Sequence, residues 1–355
     1  QRQRDTYVQI RGNYRSLGKQ VLPGTPEALH RAPNTAPGKD LDRLDLARWL
    51  ISRRNPLTAR VWMNRLWESL MGQGLVRSSE EFGAQGDLPS HPELLDWLAV
   101  EFMESGWDYK HMLRCVVTSR TYRQSSDVRE GDWQLDRNNT WLARGPRVRL
   151  TAEMIRDQAL AAAGLLSHKM FGPPVRPPQP DLGLKAAFGS ATDWKASRGA
   201  DRYRRGIYTT WRRSSPYPSM AAFDAPTREV CTLRRDRTNT PLQALVTLND
   251  PAFIEAAQGL ARRVLQNTHS ETDKTRLIRT FRLACSRSPT QDEISVLCDL
   301  LETTRDQLGS DPSAAQLLAT DPLGPVPASY DVIELAAYTA VCNVILNLDE
   351  FLMKR

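Results

Sequence analysis

Several segments of this chain place a helix-capping residue directly before a proline, or three residues before a side chain that can bond back. Asn55-Pro56, Thr240-Pro241 and Asp250-Pro251 pair a cap with a proline at the first helical position, where the missing N–H is not needed and φ is already set. Ser90-His91-Pro92-Glu93, Thr240-Pro241-Leu242-Gln243 and Thr290-x-x-Glu293 follow the capping-box pattern, with Ser90 and Thr240 as caps and His91 at the first helical position. Apolar residues then recur at helical spacing. After Asn55 they are Val61, Trp62, Leu66, Leu70 and Met71; after Ser90 they are Leu94, Leu95, Leu98, Phe102 and Met103. Asp108 and Thr151 open two further helices, Leu44 to Ile51 form one that ends before Asn55, and Val332–Leu352 reads as a last helix broken near Asn347. Only Tyr7–Ile10 reads as extended, so the expected fold class is mainly α: a multi-helix globular module with long Pro/Gly-rich loops.

A chain of 355 residues can bury one large core or two modest ones, and 40% hydrophobic with 25% charged residues excludes wholesale disorder. No apolar run approaches the roughly 18 residues of a membrane span. Two regions lack helical pattern: Arg11–Asp40, and Gly172–Ala200 with its run of prolines. The expected organisation is a helical part over 1–170 with an irregular entry segment, a loop or linker over 171–200, and an Arg-rich segment plus C-terminal helices over 201–355, with packing of all of it as one domain the alternative. The opening Gln1-Arg2-Gln3, without Met, reads as a cut inside a longer protein.

Walker, G-x-G-x-x-G, H-E-x-x-H and G-x-S-x-G patterns are absent from the sequence. The five cysteines form no C-x-x-C and no C-x-x-C-H haem-attachment motif, and are expected to be buried structural thiols. The five histidines do not cluster, so no metal site is expected. His91, at the positive end of a helix, is expected to favour a neutral ring, which suits an electrophile or ligand as well as simple packing in the turn.

Charge is concentrated. Between Asp201 and Thr240 stand nine Arg against four acids, +5 of the chain's +7. Arg forks grip carboxylate, sulfate or phosphate, and aromatic faces stack on sugars or bases. Arg205, Trp211, Arg213, Arg228, Arg237 and Asn239 are therefore candidate contacts for an acidic or sulfated glycan; nucleic acid is the less favoured anion. The competing reading is that these Arg pair with the chain's own Asp224, Glu229 and Asp236. Candidate acid/base groups are His91, Glu93, Asp224 and Glu229. Glu153 could instead pair with Arg156 on its own helix. A hydrolase would need two carboxyls about 5–10 Å apart.

One ordered set of segments carries a family resemblance. It includes Arg11-Gly12-Asn13-Tyr14, Asn55-Pro56-Leu57-Thr58-Ala59-Arg60-Val61, Pro89-Ser90-His91-Pro92-Glu93, Ser119-Arg120-Thr121-Tyr122-Arg123-Gln124 and Ala152-Glu153-Met154-Ile155-Arg156-Asp157. It continues with Phe223-Asp224-Ala225-Pro226, Thr238-Asn239-Thr240-Pro241-Leu242-Gln243 and Asn347-Leu348-Asp349-Glu350-Phe351. The chain resembles the planctomycete-type domain of unknown function 1553 over nearly its whole length. That resemblance implies the C-terminal part of a large exported protein, periplasmic or secreted, in which a cytochrome-c-like domain precedes this one. Any haem c would then sit on that other domain, with no cofactor in this chain, and the preceding domains of the same polypeptide would be its partners. The resemblance also implies a link to redox or polysaccharide metabolism, an oxidoreductase acting on carbohydrate being the leading form, a scaffold and a glycan hydrolase or lyase the alternatives. It supplies no catalytic residues.

Overall fold

The computed structural model describes residues 5–32, 40–180, 194–213, 215–266 and 271–354. It is mainly α-helical and divides into two compact units, Gln1–Pro146 and Arg147–Arg355. Composition had placed a linker at 171–200; residues 181–193 of that stretch lie outside the described residues.

The first unit opens with an exposed antiparallel hairpin, β1 (Thr6–Gln9) and β2 (Leu17–Val21), where the sequence suggested a short extended piece. Then come α1 (Arg43–Leu50), α2 (Thr58–Met71), α3 (Pro92–Glu104), α4 (Tyr109–Thr118) and the short α5 (Asp132–Leu135). Met63, Leu66 and Trp67 of α2 meet Leu95, Leu98 and Phe102 of α3, and Met112 and Val116 of α4 close this core. Asn55 caps as an Asx turn, its Oδ1 accepting from Leu57 and Thr58 N–H, so the helix starts two residues later than the Asn-Pro pair implied.

The capping box at Ser90 does not form. Its N–H already donates to the Leu75 carbonyl at 2.8 Å, which leaves Glu93 no cap N–H to accept; His91 takes the cap position and Pro92 begins the helix. Asp108 does cap α4, accepting from Lys110 and His111 N–H. Asn64, fully buried, organises the turn after α2. Its amide donates to Val76 O and Ser79 Oγ, and its Oδ1 accepts from Val76 N–H at 2.8 Å.

The second unit begins with a two-residue strand, β3 (Val148–Arg149), and α6 (Ala152–Ala163). Helices α7 (Pro218–Ala222), α8 (Pro241–Asn249), α9 (Pro251–Leu265), α10 (Asp273–Cys285), α11 (Gln291–Ser310), α12 (Pro312–Thr320), α13 (Val332–Leu346) and α14 (Asp349–Leu352) follow, and β4 (Met353–Lys354) pairs antiparallel with β3. The last helix breaks at Asn347, as its sequence suggested. Helix α13 is buried nearly all round, with Leu335, Tyr338, Val341, Cys342 and Ile345 inaccessible, and α9 is its main partner. Alanines let helices approach closely: Ala159, Ala162 and Ala163 of α6 share the core with Ala256, Ala257 and Ala261 of α9. At Gly259 an added Cβ would stand 2.7 Å from Leu165. Of the cysteines, only Cys342 is buried; Cys115, Cys285 and Cys298 are half-buried and Cys231 is exposed, against the expectation of five buried thiols.

Asp250 caps α9 and Thr290 with Glu293 forms the expected capping box. Glu293 also takes both ends of Arg287, which reaches Glu350 of α14 with its other edge. The Arg287 hydrogen bonds, opposed by burial and helped by the Thr290 N–H, bring Glu293 down to about 2 from 4.5. No helix among the described residues is long and apolar enough to cross a membrane.

Two stability outcomes follow. Asn64→Ala strands a buried N–H and C=O and should lower the unfolding free energy by about 2–4 kcal/mol in urea titrations, whereas a change under about 0.5 kcal/mol would contradict the role given to it. The Glu293 contribution is complete above the unfolded glutamate value and fades as pH falls toward about 2. Thermal melts from about pH 5 down to about pH 2 should therefore fall more steeply for the native chain than for Arg287→Ala.

Candidate functional site

Most of the Arg-rich window is consumed by the protein itself. Arg204, 1% exposed, donates to the carbonyls of Lys169, Phe171 and Pro173 and stacks on Tyr208 at 3.8 Å. Arg202 pairs with the buried Glu255 at 2.7 Å, and Tyr203 Oη donates to the same carboxylate. Arg205 lies 3.4 Å from Asp157, whose other oxygen accepts from Gly206 N–H. Burial raises the Asp157 carboxyl above its usual range despite these bonds. Trp211 donates to Thr227 O, and Arg228, at a left-handed φ of 64°, lies 5.2 Å over its ring. Arg213, Glu229 and Asn239 are exposed.

What remains is a groove lined by Arg149, Leu150, Thr151, Phe223, Asp224, Arg235, Asp236, Arg237 and Gln243, with about 290 Å³ of empty space out to open solvent. Of the sequence candidates it brings together Asp224 and Arg237. His91 and Glu93 belong to the first unit, where His91 Nδ1 pairs with Ser90 Oγ at 3.0 Å.

The groove is built from segments far apart in sequence. Asp224 sits just past α7 at φ 59°, a left-handed conformation that aspartate tolerates better than most side chains. Its carboxylate accepts from Thr238 N–H at 2.7 Å and from Thr238 Oγ1. Thr238 Oγ1 in turn accepts from the Gln243 amide at 3.1 Å, and the same amide donates to Ala222 O. This is why Thr240 and Gln243 form no capping box: the Gln243 side chain is spent joining two loops rather than reaching back to the cap.

Two guanidinium groups flank this core. Arg235 donates to Glu153 at 2.6 Å, so Glu153 pairs across the groove and not with Arg156, whose fork bonds the carbonyls of Arg202 and Arg204. Burial alone would raise the Glu153 carboxyl, but the Arg235 hydrogen bond and charge outweigh it and hold the group below its ordinary value. Arg149, its side chain 9% exposed, meets Asp349 at 3.4 Å and lies 5.8 Å over the Phe223 ring. Burial pulls its pKa down, with Asp349 and Asp224 acting in the opposite direction. Arg149 Nε and Gln243 Oε1 are both buried and lack hydrogen-bond partners. The groove thus holds a partly desolvated cation beside a second arginine, an aromatic face and a fixed carboxylate. That set suits an anionic group held by fork-type hydrogen bonds.

The family model described as PSD1, protein of unknown function (DUF1553), matches residues 42–301. The chain belongs to this family. No curated protein and no solved structure matches it. The DUF1553 match runs through the groove segments around Glu153, Asp224 and Gln243, and ends before α12 and α13, which complete the second unit's core. Among the described residues no group of three or more His, Cys, Asp or Glu stands where it could hold a metal ion.

Sequence reasoning missed Arg149, Arg235 and Gln243 as groove residues. Gln243 carried a signal, but its spacing from Thr240 reads equally well as a capping box. Removing the Thr238 hydroxyl with Thr238→Val should cost about 1 kcal/mol and speed amide hydrogen exchange over residues 223–238. Unchanged exchange there would show that Asp224 is held by something else.

Proposed function

We propose that this DUF1553 chain is a carbohydrate-binding module whose groove at Arg149, Arg235 and Arg237 takes the carboxylate or sulfate of an anionic glycan. Following the resemblance of its ordered segments, it works within a larger exported, cytochrome-c-linked protein, where it presents substrate to a redox centre carried on another domain. The observation that carries the binding reading is the groove itself: Arg149 is nine-tenths buried with an unpartnered Nε, next to Arg235, Arg237 and the Phe223 ring. A buried guanidinium with an unused donor gains free energy from a charged acceptor more than an exposed one does.

A second reading, an interaction scaffold without ligand, draws support from the internal use of Arg156, Arg202, Arg204 and Arg205. Hydrolysis finds less support. Glu153 is held ionised by Arg235, which suits a base and not the protonated acid that glycoside cleavage requires, and Asp224 is tied to Thr238.

Calorimetry with a sulfated heparin-type tetrasaccharide separates the two readings. Arg237→Ala should weaken binding about tenfold and Glu153→Gln should strengthen it, by releasing Arg235. Binding should also weaken as salt rises. No binding at low salt, with all variants folded, would favour the scaffold.

A further inference from the structure

We infer that residues 226–237 are a strap that opens as a unit and gates the groove. Part of the groove's lining is fixed. Leu150 N–H donates to Leu352 O at 3.0 Å, Arg149 pairs with Met353 in the β3–β4 ladder, and Thr151 leads into α6. Phe223 is packed into the core of the second unit. The rest of the charged lining, Arg235, Asp236 and Arg237, belongs to the strap.

Side chains fasten this segment at its two ends. Trp211 Nε1 donates to Thr227 O at 3.1 Å, and Arg228 lies over the same indole. At the other end Arg235 donates to Glu153 at 2.6 Å, and Asp224 accepts from the N–H and hydroxyl of Thr238. Among the described residues, none of residues 226–236 takes part in a backbone–backbone hydrogen bond. Residues 229–234, between the two ends, are exposed. Val230 and Leu233 are 74% and 54% exposed, so the middle of the strap gives up little buried apolar surface when it moves.

The closed position carries costs. Arg149 Nε and Gln243 Oε1, on two residues that line the groove, are shut off from solvent and lack partners, and an unpaired buried polar atom is unfavourable. Arg228 holds φ at 64°, a left-handed conformation that arginine disfavours. Opening lets water reach both atoms and lets Arg228 relax, against the loss of a few side-chain bonds. Segments with so few buried apolar contacts open far below the free energy of global unfolding. The gate rests on the anionic reading of the groove. With Arg149 Nε closed off, an anion meets that donor only after Arg235 and Arg237 have swung away, and it is enclosed when they return.

The test is timed digestion of the full chain by an arginine-specific endoproteinase, with cuts after Arg228, Arg234 and Arg235 followed by mass spectrometry. A protease needs several residues drawn clear of the surface, so when closing outpaces cutting the rate follows the population of the open strap. Glu153→Gln, which unfastens Arg235, should speed these cuts about tenfold, and Thr238→Val about fivefold. Cuts after Arg276 and Arg279 of α10 should not speed up, which separates opening of the strap from unfolding of the chain. Glu104→Gln, which breaks the exposed Arg53 pair of the first unit, should change nothing. The sulfated tetrasaccharide should slow the strap cuts about tenfold. Strap cuts that run at one rate in the native chain and both anchor variants, or that speed up only together with those in α10, would overturn the gate. Anchor effects without slowing by the tetrasaccharide would establish the opening and overturn the anionic reading of the groove instead.

Discussion

Burying a guanidinium is costly without acceptors, and for Arg156, Arg204, Arg262 and Arg263 of the second unit those acceptors are main-chain carbonyls of loops and helix ends. Arg204 gathers those of Lys169, Phe171 and Pro173, and Arg156 gathers those of Arg202 and Arg204. Arg263 does the same for the C-terminal end of α6, and Arg262 for Ala319 and Gly324. Segments with no helix or sheet of their own are thereby fastened to α6 and α9. The proline-rich stretch is irregular yet fixed where it is described: side chains take the carbonyls of Pro173, Pro177 and Pro178, and isolated backbone bonds take those of Val175 and Arg176.

This arrangement also explains how the charge is divided. Arginines that meet carbonyls or buried carboxylates contribute to the fold. Arg235 and Arg237 converge with Asp224 and Gln243 on the groove, Arg235 while also paired with Glu153. Both uses draw on the same window of sequence, which is why the count of arginines between 201 and 240 does not distinguish them. Only the three-dimensional partner of each fork does.

Helix content was legible because capping is local. Asp108, Asp250 and Thr290 act as their neighbours imply, and the break at Asn347 falls where expected. The two capping boxes that fail do so for long-range reasons: Ser90 N–H is taken by Leu75, and the Gln243 amide by Ala222 and Thr238. The pairing of Val148–Arg149 with Met353–Lys354 joins residues some two hundred apart through strands too short to show an alternating pattern. Arg149 owes its place in the groove to that pairing and to Asp349, so nothing adjacent to it in sequence marks it. Asp224 and Arg237 were visible as charged residues in a basic window; their convergence was not.

We propose that the groove, and not the arginine-rich surface in general, receives an anionic ligand. Hydrogen-exchange mass spectrometry of the full chain with and without a sulfated tetrasaccharide tests it most directly. Slower exchange is expected only in the groove segments, residues 147–153 and 223–243. Protection centred instead on Arg205, Arg212 and Arg213, or no protection at millimolar tetrasaccharide in low salt, would argue against it.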